Sequence, residues 1–352
     1  MRKYFLVIMI FVYISICCNT GLAQTQTTIP VTFGAQFFGN YSYSVQGIDG
    51  QDFNKFDIDR LYFTAKSQLS ENWKLQMTTD IFRNSATGSY YSGLAIRLKF
   101  GFVDYTPIPE LSIKAGMIPG PWNSLVEAFW KYRGVAQTAN DKYSYVQTAD
   151  LGASVAYTLP DNYGEIAGYV LNGDGYTAPE SNQFKDVILR ASLMPFPGSS
   201  VFKTLTLGGY TYLGKSTGIT GLKKQRYGGL LGWSYDIVTM GTEYDSRTDG
   251  TIDAPDVNGD VLSLFTELKI PVASLQSKLS VIFRYDIADP NKDKDNDKTY
   301  YFIAGLVWKA TDKVSIVLDR QIMTGDSATM KTSAGGVTDR DEKWFIHTII
   351  TF

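Results

Sequence analysis

Cysteine and histidine are almost absent from this chain of 352 residues. The two cysteines, Cys17 and Cys18, are adjacent near the N-terminus, and His347 is the single histidine. Disulfide scaffolds, Cys/His zinc sites and cysteine nucleophiles are therefore excluded after Cys18. Histidine-based catalysis would depend on His347 alone, so the sequence favours a protein that is not an enzyme and that holds no cofactor or metal.

Neither sign of charge is in large excess, since the chain contains 33 Lys and Arg residues and 35 Asp and Glu residues. A balanced chain lacks the basic surplus typical of nucleic-acid-binding proteins. Long apolar runs are missing after the N-terminal segment, so no transmembrane helix is predicted there. Glycine and aromatic residues, by contrast, are abundant, with 32 Gly, 23 Tyr and 20 Phe, and the aromatic content excludes a disordered chain.

The N-terminal segment has the features of a secretory signal. Arg2 and Lys3 precede an apolar run at residues 4–18, and Gly21 and Ala23 are small residues at the positions that a signal peptidase reads. We expect cleavage after Ala23. This divides the chain into a signal peptide, residues 1–23, and one further domain, residues 24–352.

From Val31 onward, apolar residues recur at every second position. Such alternation is typical of strands with one apolar face. Each stretch is about ten residues long, which is the length that a tilted strand needs to cross a bilayer. In one example the apolar face consists of Leu94, Ile96, Leu98, Phe100 and Phe102, and the opposite face of Ala95, Arg97, Lys99 and Gly101.

The connections between these stretches alternate in length. Short ones, such as residues 70–72 and 310–313, are separated by longer and more polar ones, such as residues 172–183 and 288–298. Outer-membrane barrels have short periplasmic turns and long extracellular loops. The sequence therefore predicts an all-β, transmembrane antiparallel β-barrel of about 16 strands, in the outer membrane of a Gram-negative bacterium.

The C-terminal strand agrees with this prediction, because Trp344, Ile346 and Ile350 share one side and the chain ends on Phe352. A terminal aromatic residue on such a strand resembles the signal by which outer-membrane barrels are assembled. A secreted, soluble β-rich binding protein is the alternative left open, and a barrel enzyme is a more remote one. A barrel in this location would contact outer-membrane lipid and lipopolysaccharide.

The longest connection, residues 118–147, is the third long loop of the chain. Prolines and a glycine at 119–121 turn the chain, and residues 124–130 favour about two turns of helix. We expect the loop to fold into the lumen and to form the constriction of a water-filled pore. Its candidate residues are Trp122, Glu127, Trp130, Lys131, Arg133, Asp141 and Lys142.

A second set of cations lies on the polar face of the early strands. We expect these side chains to point inward, because Lys or Arg on the lipid face costs about 2–4 kcal/mol at mid-bilayer. Asp80 is the carboxylate expected beside them, and the chain's negative charge is expected in outer loops such as residues 245–260. Cations concentrated in the lumen predict a weak preference for anions. The wall residues are Arg60, Lys66, Lys74, Arg97, Lys99 and Lys114.

Several short motifs within residues 56–176 resemble the phosphate-selective porin O/P-like family. They include Phe102-Val103-Asp104-Tyr105, Ile113-Lys114-Ala115-Gly116-Met117-Ile118-Pro119-Gly120-Pro121-Trp122, Trp130-Lys131-Tyr132-Arg133 and Ala149-Asp150-Leu151-Gly152. The resemblance implies a sixteen-stranded, usually trimeric, outer-membrane channel for anions or small hydrophilic solutes. The third loop departs from the family, because it has no dense series of arginines.

Two acidic loops, residues 245–260 and 289–297, leave calcium binding open. Asp289, Asn291, Asp293, Asp295 and Asp297 recur at every second position, and alternate carboxylates can wrap Ca²⁺. An EF-hand would need Gly and Glu where, counted from Asp293, Lys298 and Ala304 stand. A solvated extracellular loop is the better interpretation.

Overall fold

The computed structural model describes residues 29–84, 93–216, 221–271, 278–327, 330–333 and 335–352. The predicted signal peptide at residues 1–23 lies outside these ranges, as do parts of several long connections. No helix in the described ranges is both long and apolar enough to cross a membrane.

Sixteen antiparallel strands close into a barrel, in which β1 pairs with both β2 and β18, and β16 and β17 form a separate two-stranded sheet. This confirms the predicted barrel and its strand number. The strands are β1 (Val31–Gln46), β2 (Asn54–Gln68), β3 (Trp73–Asn84), β4 (Gly93–Ile108), β5 (Leu111–Pro119), β6 (Ala149–Leu159), β7 (Gly164–Leu171), β8 (Asp186–Leu193), β9 (Thr206–Lys215), β10 (Lys223–Tyr235), β11 (Val238–Asp249), β12 (Val257–Ile270), β13 (Leu279–Asp289), β14 (Thr299–Lys309), β15 (Val314–Gly325), β16 (Met330–Lys331), β17 (Val337–Thr338) and β18 (Arg340–Thr351).

Successive side chains of each strand lie on alternate faces of the barrel wall, as the period of two in the sequence predicts. In β12, Ser263 and Glu267 are buried on the inner face, whereas Leu264 and Leu268 are exposed on the outer face. Closure of the barrel pairs the backbone groups that a sheet edge would expose. The result is an outer surface rich in exposed apolar side chains, among them Phe63, Ile96, Val155, Leu189, Leu264 and Leu318.

A β-bulge in β4 interrupts this alternation. Thr78 pairs with Phe100 and Thr79 with Leu98, so Lys99 is an inserted residue without a partner in β3. Phe102 is consequently buried in the hydrophobic cluster, whereas Leu98 remains exposed. The expectation that Phe100 and Phe102 share the outer face of Leu98 is wrong, because alternating hydrophobicity does not reveal an inserted residue.

The boundary between β11 and the following loop also differs from the expectation. β11 continues to Asp249 and β12 begins at Val257, so the connection is shorter than predicted. Asp245 is fully buried within β11, where it accepts a hydrogen bond of 2.8 Å from the Tyr210 hydroxyl. The expected placement of Asp245 in an outer loop is therefore wrong.

The assignment of each position to the inner or the outer face predicts how an added charge changes the free energy of unfolding. Leu189→Arg places a cation at an outward position of β8 that is 59% exposed, and should lower the free energy of unfolding by about 2–4 kcal/mol in a bilayer. Gln76→Arg, at an inward position, is the control and should cost less than about 1 kcal/mol. Urea unfolding of the protein folded into lipid vesicles measures both. Equal costs would contradict the assigned faces.

Candidate functional site

The connection between β5 and β6, residues 120–148, is here called the lumen loop. Its two ends meet where the Gly120 N–H donates to the Thr148 carbonyl at 2.8 Å. A Cβ at Gly120 would lie 2.0 Å from the Gln147 carbonyl oxygen, so only glycine fits this neck. The loop contains helices α1 (Asn123–Glu127) and α2 (Ala139–Lys142). The first overlaps the helix expected at residues 124–130, whereas the second has no counterpart in the predictions.

The lumen loop crosses the interior of the barrel and packs against the far wall. The Tyr132 hydroxyl donates to Glu267 on β12 at 2.6 Å, and the Gln321 amide on β15 donates to the Val135 carbonyl at 3.3 Å. At Gly134 an added Cβ would lie 2.8 Å from Ile349 Cγ1 on β18. These contacts confirm that the third long loop folds into the lumen.

Glu243 on β11 holds both helices of the lumen loop. Its carboxylate is fully buried and accepts hydrogen bonds from the Trp122 indole N–H at 2.9 Å, from the Asn140 amide, and from the Ala139 backbone N–H at 3.2 Å. A buried carboxylate needs such donors to offset its lost hydration. The sequence analysis missed Glu243, although its inward position between outward-facing residues of β11 was readable from the alternation.

Arg284 on β13 provides a second attachment. Its side chain is 1% exposed, and it forms an ion pair of 2.7 Å with Asp286. The same guanidinium donates to the Gln137 carbonyl of the lumen loop and lies 5.3 Å from the centre of the Trp130 ring. Arg284 therefore connects the wall to the loop, and it too was absent from the sequence-based set.

Two of the cations predicted to act in the lumen are paired with carboxylates. Arg133 donates to Glu127 at 2.7 Å and to Asp141 at 2.9 Å, both within the lumen loop. Lys131 lies 3.4 Å from Glu267 on the wall. These pairs reduce the positive field that a simple count of Lys and Arg suggests.

Lys142, on α2, has a different environment. Its ammonium group lies 4.0 Å from the centre of the Tyr301 ring, and in the described part of the chain it has no salt-bridge partner. Burial, reinforced by the nearby Arg284, lowers the pKa of Lys142 to about 8. Its charge therefore changes within a pH range that a channel measurement can reach.

The wall cations divide into paired and unpaired groups. Arg60 and Arg97 both contact the fully buried Asp80, at 2.9 and 3.0 Å. Arg97 also lies between the rings of Phe82 and Tyr176, at 3.8 and 4.5 Å from their centres. The prediction that Asp80 faces these cations holds for this pair of arginines.

The wall lysines occupy separate positions. Lys99 is 6% exposed and donates to the Tyr62 hydroxyl at 3.1 Å, whereas Lys114 lies 3.8 Å from Asp104. Lys66 and Lys74 are exposed, and Lys74 is the second residue of β3, next to a short turn. The set predicted from sequence thus does not form one continuous ladder.

Two cavities lie between the lumen loop and the barrel wall, and Arg133 lines both. The cavity nearer the short turns has a volume of about 460 Å³, and its lining includes Lys66, Lys99, Glu127, Tyr62 and Gln76. The cavity nearer the long loops has a volume of about 340 Å³, and its lining includes Asp59, Arg60, Lys142, Tyr301 and His347. Arg133 thus contributes to the lining of both spaces.

The aromatic residues of the lumen loop anchor it rather than line these spaces. Trp122 is fully buried, with its ring centre 4.6 Å from that of Tyr210, and Trp130 is 2% exposed, with its ring centre 5.9 Å from that of Phe265. This packing favours the anchoring use of loop aromatics over stacking on a solute.

The remaining polar candidates are His347 and the acidic loops. His347 is buried in the barrel wall, 2.9 Å from Asp319. In the acidic loops Lys292 pairs with Asp260 at 2.7 Å. Across the described ranges, no group of three or more His, Cys, Asp and Glu side chains is arranged to hold a metal ion.

Solved structures that are similar to this chain include outer-membrane porins and channels. The anion-selective porin from Comamonas acidovorans is 12% identical, with a TM-score of 0.65 over 92% of this chain and 99% of that chain. The outer membrane channel DcaP of Acinetobacter baumannii is 11% identical, with a TM-score of 0.62 over 95% and 100%. Salmonella typhi OmpF, in complex with daunomycin, is 11% identical, with a TM-score of 0.60 over 92% and 98%.

At such low identity the likeness establishes the fold, a sixteen-stranded barrel of the porin type. No protein-family model matches the chain, and no curated protein matches it by sequence. The narrower resemblance to phosphate-selective porins is not confirmed by these comparisons.

Glu243 is the main attachment of the lumen loop, so its replacement should strongly lower the free energy of unfolding. Glu243→Ala leaves three buried donors without an acceptor and should lower the free energy of unfolding by about 3 kcal/mol. Glu127→Ala, which breaks a partly exposed ion pair, should cost less than about 1 kcal/mol. Urea unfolding in detergent measures both variants. Equal stability of the two would refute the anchoring role.

Proposed function

We propose that the protein is a porin of the Gram-negative outer membrane, through which small hydrophilic solutes diffuse passively with a weak preference for anions. The observation that carries this proposal is the pair of cavities, both lined by Arg133, inside a closed barrel. Residues 118–147, predicted as the constriction loop, would narrow this path. We also retain residues 1–23 as the proposed signal peptide.

Charge in the two cavities supports the anion preference. Their lining contains more cations than carboxylates, even though Arg133 is paired within the loop and Arg60 is paired with Asp80. Low-dielectric walls concentrate the field of such charges, so anions should accumulate beside them. The side-chain cations are Lys66, Lys99, Arg133, Arg60 and Lys142, and the side-chain carboxylates are Glu127 and Asp59; the C-terminal residue Phe352 also lies in the lining.

The outer surface supports the membrane location. Exposed apolar residues such as Leu189, Leu264 and Leu318 face outward from strands whose inner faces carry buried polar groups. A soluble binding protein would expose this surface to water, which disfavours that alternative. The comparison with outer-membrane porins supports the same interpretation.

A homotrimer and kinship with phosphate-selective porins are narrower parts of the proposal. Small outward residues such as Ala115 and Ala153, which pair across β5 and β6, would allow two barrel walls to approach closely. The loop's single arginine is held by two carboxylates, which favours a general anion preference over selectivity for phosphate.

Planar-bilayer recording in a salt gradient tests the channel and its selectivity together. We expect conductance with a reversal potential that indicates weak anion preference. Lys66→Gln, Lys99→Gln and Arg133→Gln combined should lower the anion-to-cation permeability ratio by about twofold or more. Glu127→Gln with Asp141→Asn removes the partners of Arg133 and should raise the ratio. An absence of conductance, or a cation-selective wild type, would overturn the proposal.

The lowered pKa of Lys142 predicts a pH dependence of selectivity. With a pKa of about 8, the ammonium group is largely charged at pH 7 and largely neutral at about pH 9.5, so anion preference should fall between these values. Lys142→Gln should abolish this step. Lys142→Arg should keep the preference at the higher pH, because arginine stays protonated. Reversal potentials at both pH values measure the effect, and a step that survives in Lys142→Gln would exclude Lys142 as its source.

A further inference from the structure

Two arginines lie on the outer face of the barrel, Arg320 near the middle of β15 and Arg340 at the long-loop end of β18. Val317 and Asp319 on β15 are fully buried, whereas Leu318 between them is 46% exposed, so Arg320 shares the outward side of Leu318. Arg320 pairs in register with Trp344 on β18, which is also exposed. Arg340 begins β18, at the strand end that follows a long loop.

Both arginines converge on one carboxylate. Arg320 Nε lies 3.0 Å from Glu342 Oε1, and Arg340 Nε lies 3.0 Å from Glu342 Oε2. The Arg320 and Arg340 side chains are 41% and 39% exposed, whereas that of Glu342 is 5% exposed. The cluster of Arg320, Arg340 and Glu342 therefore carries one uncompensated positive charge on the outward face.

The hydrogen-bonding capacity of the two guanidinium groups is only partly used. Each donates to Glu342 through Nε and Nη2. Among the residues that the structure describes, neither Nη1 group has an acceptor. Two adjacent guanidinium edges match the several oxygens of a phosphate, which arginine binds with charge-assisted, often bidentate hydrogen bonds.

The surroundings of the cluster suit a lipid rather than a free ion. Trp344 is 42% exposed, and the Arg320 guanidinium lies 5.6 Å from the centre of its ring. Tryptophan is typical of the level at which lipid headgroups begin. Towards the short turns, Leu318 and Ile346 lie opposite each other on the same two strands and are both exposed, so they offer a surface for acyl chains.

From this geometry we propose that Arg320 and Arg340 bind the phosphate of an anionic lipid in the outer leaflet, with its acyl chains over Leu318 and Ile346. The inference rests on the proposed outer-membrane location. Glu342 acts as a positioning residue, because it holds the two guanidinium groups side by side. Without the lipid phosphate, the surplus cation of this cluster would face the membrane unpaired, at a cost that grows with depth.

Native mass spectrometry of the full chain in detergent, titrated with dioleoyl phosphatidic acid, tests the site. We expect the wild type to retain the lipid and Arg320→Gln with Arg340→Gln to bind it at least tenfold more weakly. Lys185→Gln with Lys292→Gln is the matched control, since both lysines are exposed cations that each pair with one carboxylate. Binding should be unchanged in this control. Equal loss in the two double variants would overturn the proposal.

Two further ligands identify the source of the phosphate. Dioleoylglycerol, which lacks the phosphate, should bind weakly to the wild type. Inorganic phosphate at millimolar concentration should not displace the bound lipid. Displacement by inorganic phosphate, or equally tight binding of dioleoylglycerol, would contradict a lipid-phosphate site.

A lysine double variant tests whether the guanidinium groups themselves recognise the lipid. Arg320→Lys with Arg340→Lys preserves charge but loses the planar fork, and should bind more weakly than the wild type. Binding equal to the wild type would contradict recognition by guanidinium groups.

Heat-modifiable mobility in gels verifies that each variant is folded. The glutamine double variant should conduct like the wild type, so an absence of wild-type conductance would refute the porin proposal without affecting the lipid result.

Discussion

The pairing of β1 with β18 is the constraint on which the rest of the molecule depends. It joins the first and last strands of the barrel, with Phe38 opposite Ile349, and thereby converts an open sheet into a closed wall. Closure supplies partners for backbone groups that would otherwise be left unpaired at two sheet edges, where another chain could add to the sheet. It also creates an interior, so that inward residues of distant strands can meet across one lumen.

Within that interior, charged side chains hold the lumen loop in one position, through hydrogen bonds to the wall and ion pairs within the loop. Glu243 and Arg284 fix the side of the loop that faces β11 and β13, and Arg133 is held between carboxylates of the loop itself. Several of these groups are fully buried, and breaking one pair would leave an uncompensated charge. The same contacts leave the space beside β1–β4 open, where Lys66 and Lys99, which have no salt-bridge partner among the described residues, line the cavity.

The fold was predictable from sequence because the strands of a barrel repeat a local pattern. Alternation and loop length identified the strands, their number and the lumen loop without any knowledge of long-range contacts. The bulge at Lys99 escaped prediction because one inserted residue leaves the hydrophobic pattern intact while it exchanges the two faces. Glu243 escaped because its partners lie about a hundred residues away in the chain, and pairing across a lumen leaves no local signal.

The candidate site was predictable in composition but not in electrostatics. Sequence identified the cations of the loop and wall, but their effect depends on which of them meet carboxylates. Arg60 and Arg97 share Asp80, and Lys131 meets Glu267, whereas Lys142 packs on an aromatic ring. A count of charges along the strands cannot separate these cases, because each depends on a partner from another part of the barrel.

The central claim is that the lumen loop crosses the barrel interior and contacts β18. Gly134→Cys with Ile349→Cys tests it directly, because a Cβ at position 134 would lie 2.8 Å from the Ile349 side chain. Apart from Cys17 and Cys18 in the proposed signal peptide, the chain contains no other thiol. After mild oxidation of the folded barrel and alkylation in denaturant, mass spectrometry should show both introduced thiols protected, whereas Gly134→Cys with Leu189→Cys should be alkylated at both positions. Alkylation of the Gly134→Cys, Ile349→Cys pair in barrels that were folded during oxidation would contradict the account.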